Sequence, residues 1–232
     1  MMKTIGGVLG GAAALSLATG LVAPSAAVAT GTTYDIDSAS SPTVVVNKHR
    51  PLDPRTYVPK PLSRIQAERM RSDAAAAYQK MARAAKADGV NIVAVSGYRS
   101  YDTQAGLYDS YVRQYGQETA DTIAARPGHS EHQTGLAMDV GNASGVCALQ
   151  DCFADTPVGA WVSEHAGEYG FIIRYPDGED NQAVTGYAYE PWHIRYVGHD
   201  LVRDMQEAAL VDPEVDTMEE FFGLEPAPDY RP

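Results

Sequence analysis

The stretch Ser130-Glu131-His132-Gln133-Thr134-Gly135-Leu136-Ala137-Met138-Asp139, read with Glu190-Pro191-Trp192-His193 about fifty residues later, decides how this chain is organised. Two imidazoles, a carboxylate ligand and a spare carboxylate are the parts of a catalytic zinc site: three protein ligands, an open position for water and a general base. Spacing limits how those parts can be carried. On one straight helix, His132 and Asp139 would stand about 10 Å apart along the axis, whereas ligands of one tetrahedral zinc lie roughly 3–3.5 Å from one another. His132 therefore belongs in a loop announced by Pro127-Gly128, and Gly135 turns the chain into a buried strand, Leu136 to Val140, that delivers Asp139. Tyr187 to Val197 is rich in aromatic and β-branched residues and reads as a second strand, with Pro191 marking an edge position or a bend. Glu190 and His193 face opposite sides of a regular strand, so a local turn at Pro191 is needed to aim both at one metal.

The two motifs, S-E-H-Q-T-G-L-A-M-D and E-P-W-H, resemble those of the zinc D-alanyl-D-alanine carboxypeptidases of the VanY type. That family sits in the group that also holds lysostaphin-type endopeptidases and the hedgehog signalling domain. The likeness extends to Ser96-Gly97-Tyr98-Arg99-Ser100 with Gln104, to Asn47-Lys48 near Pro51-Leu52, and to Glu168-Tyr169-Gly170-Phe171, covering Val46 to Asp204. The resemblance implies an α+β fold, a small central antiparallel sheet flanked by helices, with the zinc site at the sheet. It implies one zinc per chain held by His132, Asp139 and His193, with Glu190 as catalytic base and Arg99 facing the substrate.

The implied substrates are peptidoglycan stem peptides ending in D-Ala-D-Ala, from which the terminal D-alanine is released by Glu190-assisted attack of zinc-activated water. Arg99 would stabilise the developing oxyanion, Trp192 would wall the pocket, and Arg99, Gln104 and Ser130 are the candidates for the substrate's terminal carboxylate. Within the enzyme class the alternatives are an L,D-carboxypeptidase or a peptidoglycan endopeptidase. From another class comes a non-catalytic, hedgehog-like zinc module, which would have no use for a base or an oxyanion donor. His49, His129, His165 and His199 read as packed or solvated side chains.

Around this centre the chain offers room for one good-sized domain with extensions, its 232 residues being 44% hydrophobic. Thirty acidic against 18 basic residues repel nucleic-acid phosphates and offer no polybasic membrane patch. No stable protein partner is implied, and a monomer is expected. Residues 1–29 read as a secretory signal: Lys3, an apolar run from Ile5 to Val22, then Ala27-Val28-Ala29, with a retained membrane anchor as the competing reading. Residues 30–45 read as a linker, 46–206 as the zinc peptidase domain, and 207–232 as an acidic tail, docked or partly disordered.

Within the domain, Leu62 to Asp88 predicts a long helix capped at Ser63, and Asn91 to Val95 a buried strand ending at Arg99. Further helices are expected over Tyr101–Gln117, Thr156–Tyr169 and Leu201–Leu210, and a strand over Phe171–Tyr175. Cys147 and Cys152, an even and closely spaced pair in a chain read as secreted, predict one disulfide that pins a loop.

Overall fold

In the computed structural model, which describes residues 32–178 and 180–231, the two motifs lie on neighbouring strands. The signal read over residues 1–29 falls outside the described residues. In chain order the strands are β1 (Leu62–Ile65), β2 (Glu68–Arg71), β3 (Ile92–Ser96), β4 (Ala137–Asn142), β5 (Phe171–Ile173) and β6 (His193–Tyr196). The helices are α1 (Ser72–Ala87), α2 (Tyr101–Tyr115), α3 (Gln117–Ile123), α4 (Pro157–His165), α5 (Asn181–Thr185), α6 (His199–Val211) and α7 (Met218–Phe221). The central sheet is four-stranded and antiparallel, in the order β3-β4-β6-β5, and β1-β2 is a separate hairpin. This is the α+β fold expected, a small antiparallel sheet flanked by helices.

Side chains alternate across a strand, and here the alternation divides the sheet into an apolar face and a charged one. Met138 and Val140 of β4, Ile194 of β6 and Phe171 of β5 join Ile92 and Ala94 in one core, where α1 adds Ala74, Tyr78, Met81 and Ala85. The opposite positions, Asp139, His193 and Arg195, are buried as well but polar. Strand pairing sets Asp139 directly across from His193, and a register shift between Ala94 and Ser96 sets Ser96 across from Asp139 on its other side.

The hairpin is a departure from the helix expected to begin near Ser63. Helix propensity is a weak prior that tertiary contacts override, and here those contacts are visible. Gln66 takes a positive φ of 52° at the turn, and its side chain both donates to the Ile92 carbonyl and accepts from the Ala94 amide of β3. Ile65 and Met70 are buried in the core, so the helix starts only at Ser72. The second expected helix is divided at Gly116, whose φ of 82° ends α2 and leads into α3. The strand read over Tyr187–Val197 is shorter than expected, with only His193–Tyr196 pairing in the sheet.

The stretch read as a linker packs against the domain in its second half, from Ala39 on. Ala39, Ser41, Thr43, Val44 and Val45 are all buried. It lacks apolar periodicity because arginines from the body of the domain hold its backbone: Arg71 donates to the Ser40 carbonyl, and Arg195 to those of Pro42 and Val44. The acidic tail is docked. A capping box of Thr217 and Glu220 starts α7, and Met218, Glu219 and Ala227 are fully buried. Cys147 and Cys152 form a disulfide across the loop that follows β4, their Cα atoms 5.5 Å apart. Among the described residues no helix is long and apolar enough to cross a membrane.

Candidate metal centre

Glu131–Thr134 forms one 3-10 turn, closed by Gly135 at φ 70° in the left-handed region. That turn replaces the loop expected around His132 and swings its imidazole back over the end of β4. A short backbone turn, closed by the His193 amide on the Glu190 carbonyl at 3.0 Å, supplies the bend needed at Pro191. The Glu190 amide in turn donates to the Tyr175 carbonyl at 3.0 Å, which fixes the carboxylate-bearing residue beside the sheet.

His132, Asp139 and His193 are thereby gathered, with one potential ligand atom from each lying within 4.8 Å of the others. The facing atoms are identifiable. His132 Nε2 is 3.3 Å from Asp139 Oδ2, and His193 Nδ1 is 3.1 Å from Asp139 Oδ1. The remaining imidazole nitrogens point outward to acceptors: His132 Nδ1 to the Gly97 carbonyl at 2.9 Å, and His193 Nε2 to Glu131 Oε2 at 3.4 Å. A donor set of two imidazoles and one carboxylate, with each imidazole oriented from behind, fits zinc.

The electrostatics agree with the geometry. Burial works against the charge on Asp139, yet His132 and His193 hold its carboxyl well below the usual carboxylate range. Burial, helped by Arg99, lowers His132. His193 is pushed up to about 9, because hydrogen bonds to Asp139 and Glu131 outweigh burial; a metal at Nδ1 has to displace that proton.

Glu190 stands just outside the triad, its Oε2 3.6 Å from His193 Nδ1. Burial pushes its carboxyl up to about 7, against the pull of His193 and Arg99. Arg99 leaves the end of β3, its amide bonded to the His132 carbonyl at 3.2 Å. Burial lowers its guanidinium, while the charges of Asp139 and Glu190 oppose that shift.

The other expected residues divide. Gln104 is buried and donates to the Ala125 carbonyl at 2.7 Å. Its Oε1 and the Arg99 Nε are buried without a hydrogen-bond partner among the described residues. Buried polar atoms are seldom left so: the Arg99 Nε–H lacks an acceptor and Gln104 Oε1 lacks a donor. Ser130 is buried at the start of the 3-10 turn. Trp192 packs against the main apolar core. Of the histidines set aside, His129 is buried, with Nδ1 on the Asn47 carbonyl, and His165 pairs with Glu168.

Several residues around the centre were not expected. The Tyr175 ring lies 5.0 Å from that of His193. Glu131 is fully buried, and its Oε1 accepts from both Arg174 and Arg195. A sequence signal did exist: Arg195 interrupts the otherwise apolar-aromatic run His193 to Val197, and a charge in a buried strand demands a partner.

A His-Asp-His set carried by one 3-10 turn and two paired strands, with an outlying glutamate and arginine, defines a centre able to hold a metal and activate water beside it. The comparisons give the family. The VanY family of D-alanyl-D-alanine carboxypeptidases matches residues 67–199, and the chain belongs to that family. It is 45% identical over 159 residues to the putative carboxypeptidase YodJ of Bacillus subtilis (strain 168), a match covering 68% of this chain and 55% of the relative. The D-alanyl-D-alanine carboxypeptidase of Enterococcus faecium is 36% identical over 165 residues, 71% of this chain and 45% of that one. The chain thus spans about half the length of the curated relatives it matches. Among solved structures, the LdcB LD-carboxypeptidase superposes with a TM-score of 0.71 at 40% identity, covering 80% of this chain and 87% of that one. A mutant of the vancomycin-resistance D,D-pentapeptidase VanY in complex with Zn(II) gives 0.63 at 30%, covering 77% and 97%.

Proposed function

We propose that this protein is a zinc carboxypeptidase of the cell envelope that removes the C-terminal D-alanine from peptidoglycan stem peptides ending in D-Ala-D-Ala. The observation that carries this reading is the position of Glu190, 3.6 Å from the triad-facing nitrogen of His193 yet outside the ligand set. A module that merely bound metal would need neither that carboxylate nor the buried Arg99, whose Nε has no hydrogen-bond partner among the described residues. One zinc per chain is held by His132, Asp139 and His193. When bound, it supplies Lewis acidity and brings the deprotonation of water near neutral pH.

The chain's own residues do the rest. Glu190 takes the proton of the attacking water and returns it to the departing amine. Arg99 meets the oxygen on which negative charge builds, and its Nε–H is free to donate to the substrate's terminal carboxylate, whereas Gln104 Oε1 is an acceptor and would take a substrate N–H instead. Ser130, buried at the start of the Glu131–Thr134 turn, is a further candidate for the terminal carboxylate. The likeness to LdcB supports a second reading, an L,D-carboxypeptidase acting on tetrapeptides.

Incubation with pentapeptide and tetrapeptide wall precursors, with released fragments identified by mass, separates the two. Loss of one D-alanine from the pentapeptide is expected. Cleavage of the tetrapeptide alone replaces the first reading with the second, and cleavage of neither rejects both. Dialysis against a chelator is expected to abolish release, and zinc to restore it.

A further inference from the structure

Behind the metal-facing triad lies a second, wholly buried layer of charge that the reaction does not use. Glu131 Oε2 faces His193 Nε2, while Glu131 Oε1 accepts from Arg174 Nε at 2.9 Å and from Arg195 Nη1. Arg174 then forks onto Glu219, Nη2 to Oε1 at 2.7 Å and Nη1 to Oε2 at 3.0 Å, and Asn47 Nδ2 adds a bond to Glu219 Oε1 at 2.9 Å. The side chains of Glu131, Arg174, Arg195 and Glu219 are all 0% exposed.

Removing four charges from water costs several kcal/mol per ion before pairing, so a merely stabilising role could be met as well by apolar residues. The layer is also charge-balanced, two arginines against two glutamates, before His193 is counted. Glu131 is thus already matched by arginines, and its charge needs no imidazolium to balance it. What it offers His193 is a fixed hydrogen-bond acceptor.

We infer that Glu131 is a positioning residue of the metal centre. Held by Arg174 and Arg195, and at one remove by Glu219 of the C-terminal segment, it accepts a hydrogen bond from Nε2–H of His193 and so commits Nδ1 to the metal. The inference rests on the reading of His132, Asp139 and His193 as ligands. It gives the two imidazoles opposite assignments. His132 binds through Nε2 with Nδ1–H on the Gly97 carbonyl, and His193 through Nδ1 with Nε2–H on Glu131. The sheet explains the second half: His193 and Arg195 share one face of β6, and Arg174, whose amide bonds the His193 carbonyl, continues β5 alongside. Glu131 lies over that face one residue before His132, so a single short turn delivers both a ligand and the orienter of another.

The test uses the full chain loaded with zinc or cobalt(II). Competition with a chromophoric chelator is expected to show zinc bound about 10–100-fold more weakly in Glu131→Gln than in the wild type, which is the usual effect of losing such a partner. Glu219→Gln should weaken it less, and the cobalt(II) absorption band of Glu131→Gln should shift. Because a variant in this layer can fail to fold, side-chain nitrogen NMR of the wild type decides independently. His193 is expected to carry its proton on Nε2 and His132 on Nδ1. A metal-shifted Nε2 on His193, or unchanged zinc affinity in a folded Glu131→Gln, overturns the inference. A wild type that binds no zinc overturns the ligand reading itself, a different result from either.

Discussion

Glu190 and His193 are three residues apart, and a turn rather than a strand joins them, so both face the centre. In the proposed mechanism the ligand set is complete without Glu190, so Glu190→Ala is expected to keep its zinc and lose turnover by about 10²–10⁴-fold, the usual worth of a general base. Metal content and kcat measured on the same sample check this, and near-normal kcat with zinc retained removes Glu190 from the role. Arg99→Ala is expected to cost about 10²–10³-fold for the lost oxyanion donor. It should also raise KM if the same guanidinium grips the substrate's terminal carboxylate, which separates its two possible contributions. Steady-state kinetics on the pentapeptide read both numbers, and an unchanged kcat/KM places Arg99 outside the site.

At the scale of elements, the centre is a product of register. Asp139 meets His193 because β4 and β6 pair antiparallel with those two residues opposite, and a slip of one residue would turn Asp139 into the apolar core. The orientation of His132, the third member of the triad, depends on Gly97, whose carbonyl receives His132 Nδ1–H and whose amide donates to Glu68 of the hairpin. A Cβ there would run into the Arg69 carbonyl oxygen and crowd the Met138 methyl at 3.1 Å. Gly97→Ala must therefore push β3 away from the hairpin and take the acceptor of His132 with it. The expected outcome is a lower Tm and a smaller rise in Tm on adding zinc, since stabilisation by a ligand follows its affinity. Thermal unfolding with and without zinc measures both, and a variant with wild-type values shows that the hairpin does not set this acceptor.

The same elements show what the sequence could disclose. The convergence of His132, Asp139 and His193, with Glu190 beside them, was legible because a metal-ligand pattern dictates both residue type and convergence, and Gly135 and Pro191 mark the turns that convergence requires. The β1-β2 hairpin was not, because Leu62 to Asp88 has helical composition throughout and only Gln66, tied to β3 from a distance, breaks it. Glu131 and Arg174 were equally hidden. A buried charge pair separated by 43 residues leaves no periodic trace, and each residue alone reads as surface.

For the molecule as a whole, the two ends of the described chain are part of the centre's foundation. The segment around Pro42 and Val44 caps Arg195 from one side, and α7 brings Glu219 to Arg174 from another. Glu219 and Glu220 are adjacent acids in an acidic tail, and nothing in composition separates them, but their surroundings do. Glu219 is fully buried against Arg174 and Asn47, whereas Glu220 completes the capping box with Thr217 at the helix start. Removing one partner of a buried ion pair strands the other, at about 3–5 kcal/mol, while loss of a capping interaction costs about 1 kcal/mol. Glu219→Ala is therefore expected to destabilise the protein several times more than Glu220→Ala in urea unfolding followed by circular dichroism. Because Arg174 also holds Glu131, Glu219→Ala should lose zinc at lower chelator concentration than Glu220→Ala does. Equal costs for the two substitutions would mean that the tail contributes only its helix, and that Arg174 is held from elsewhere.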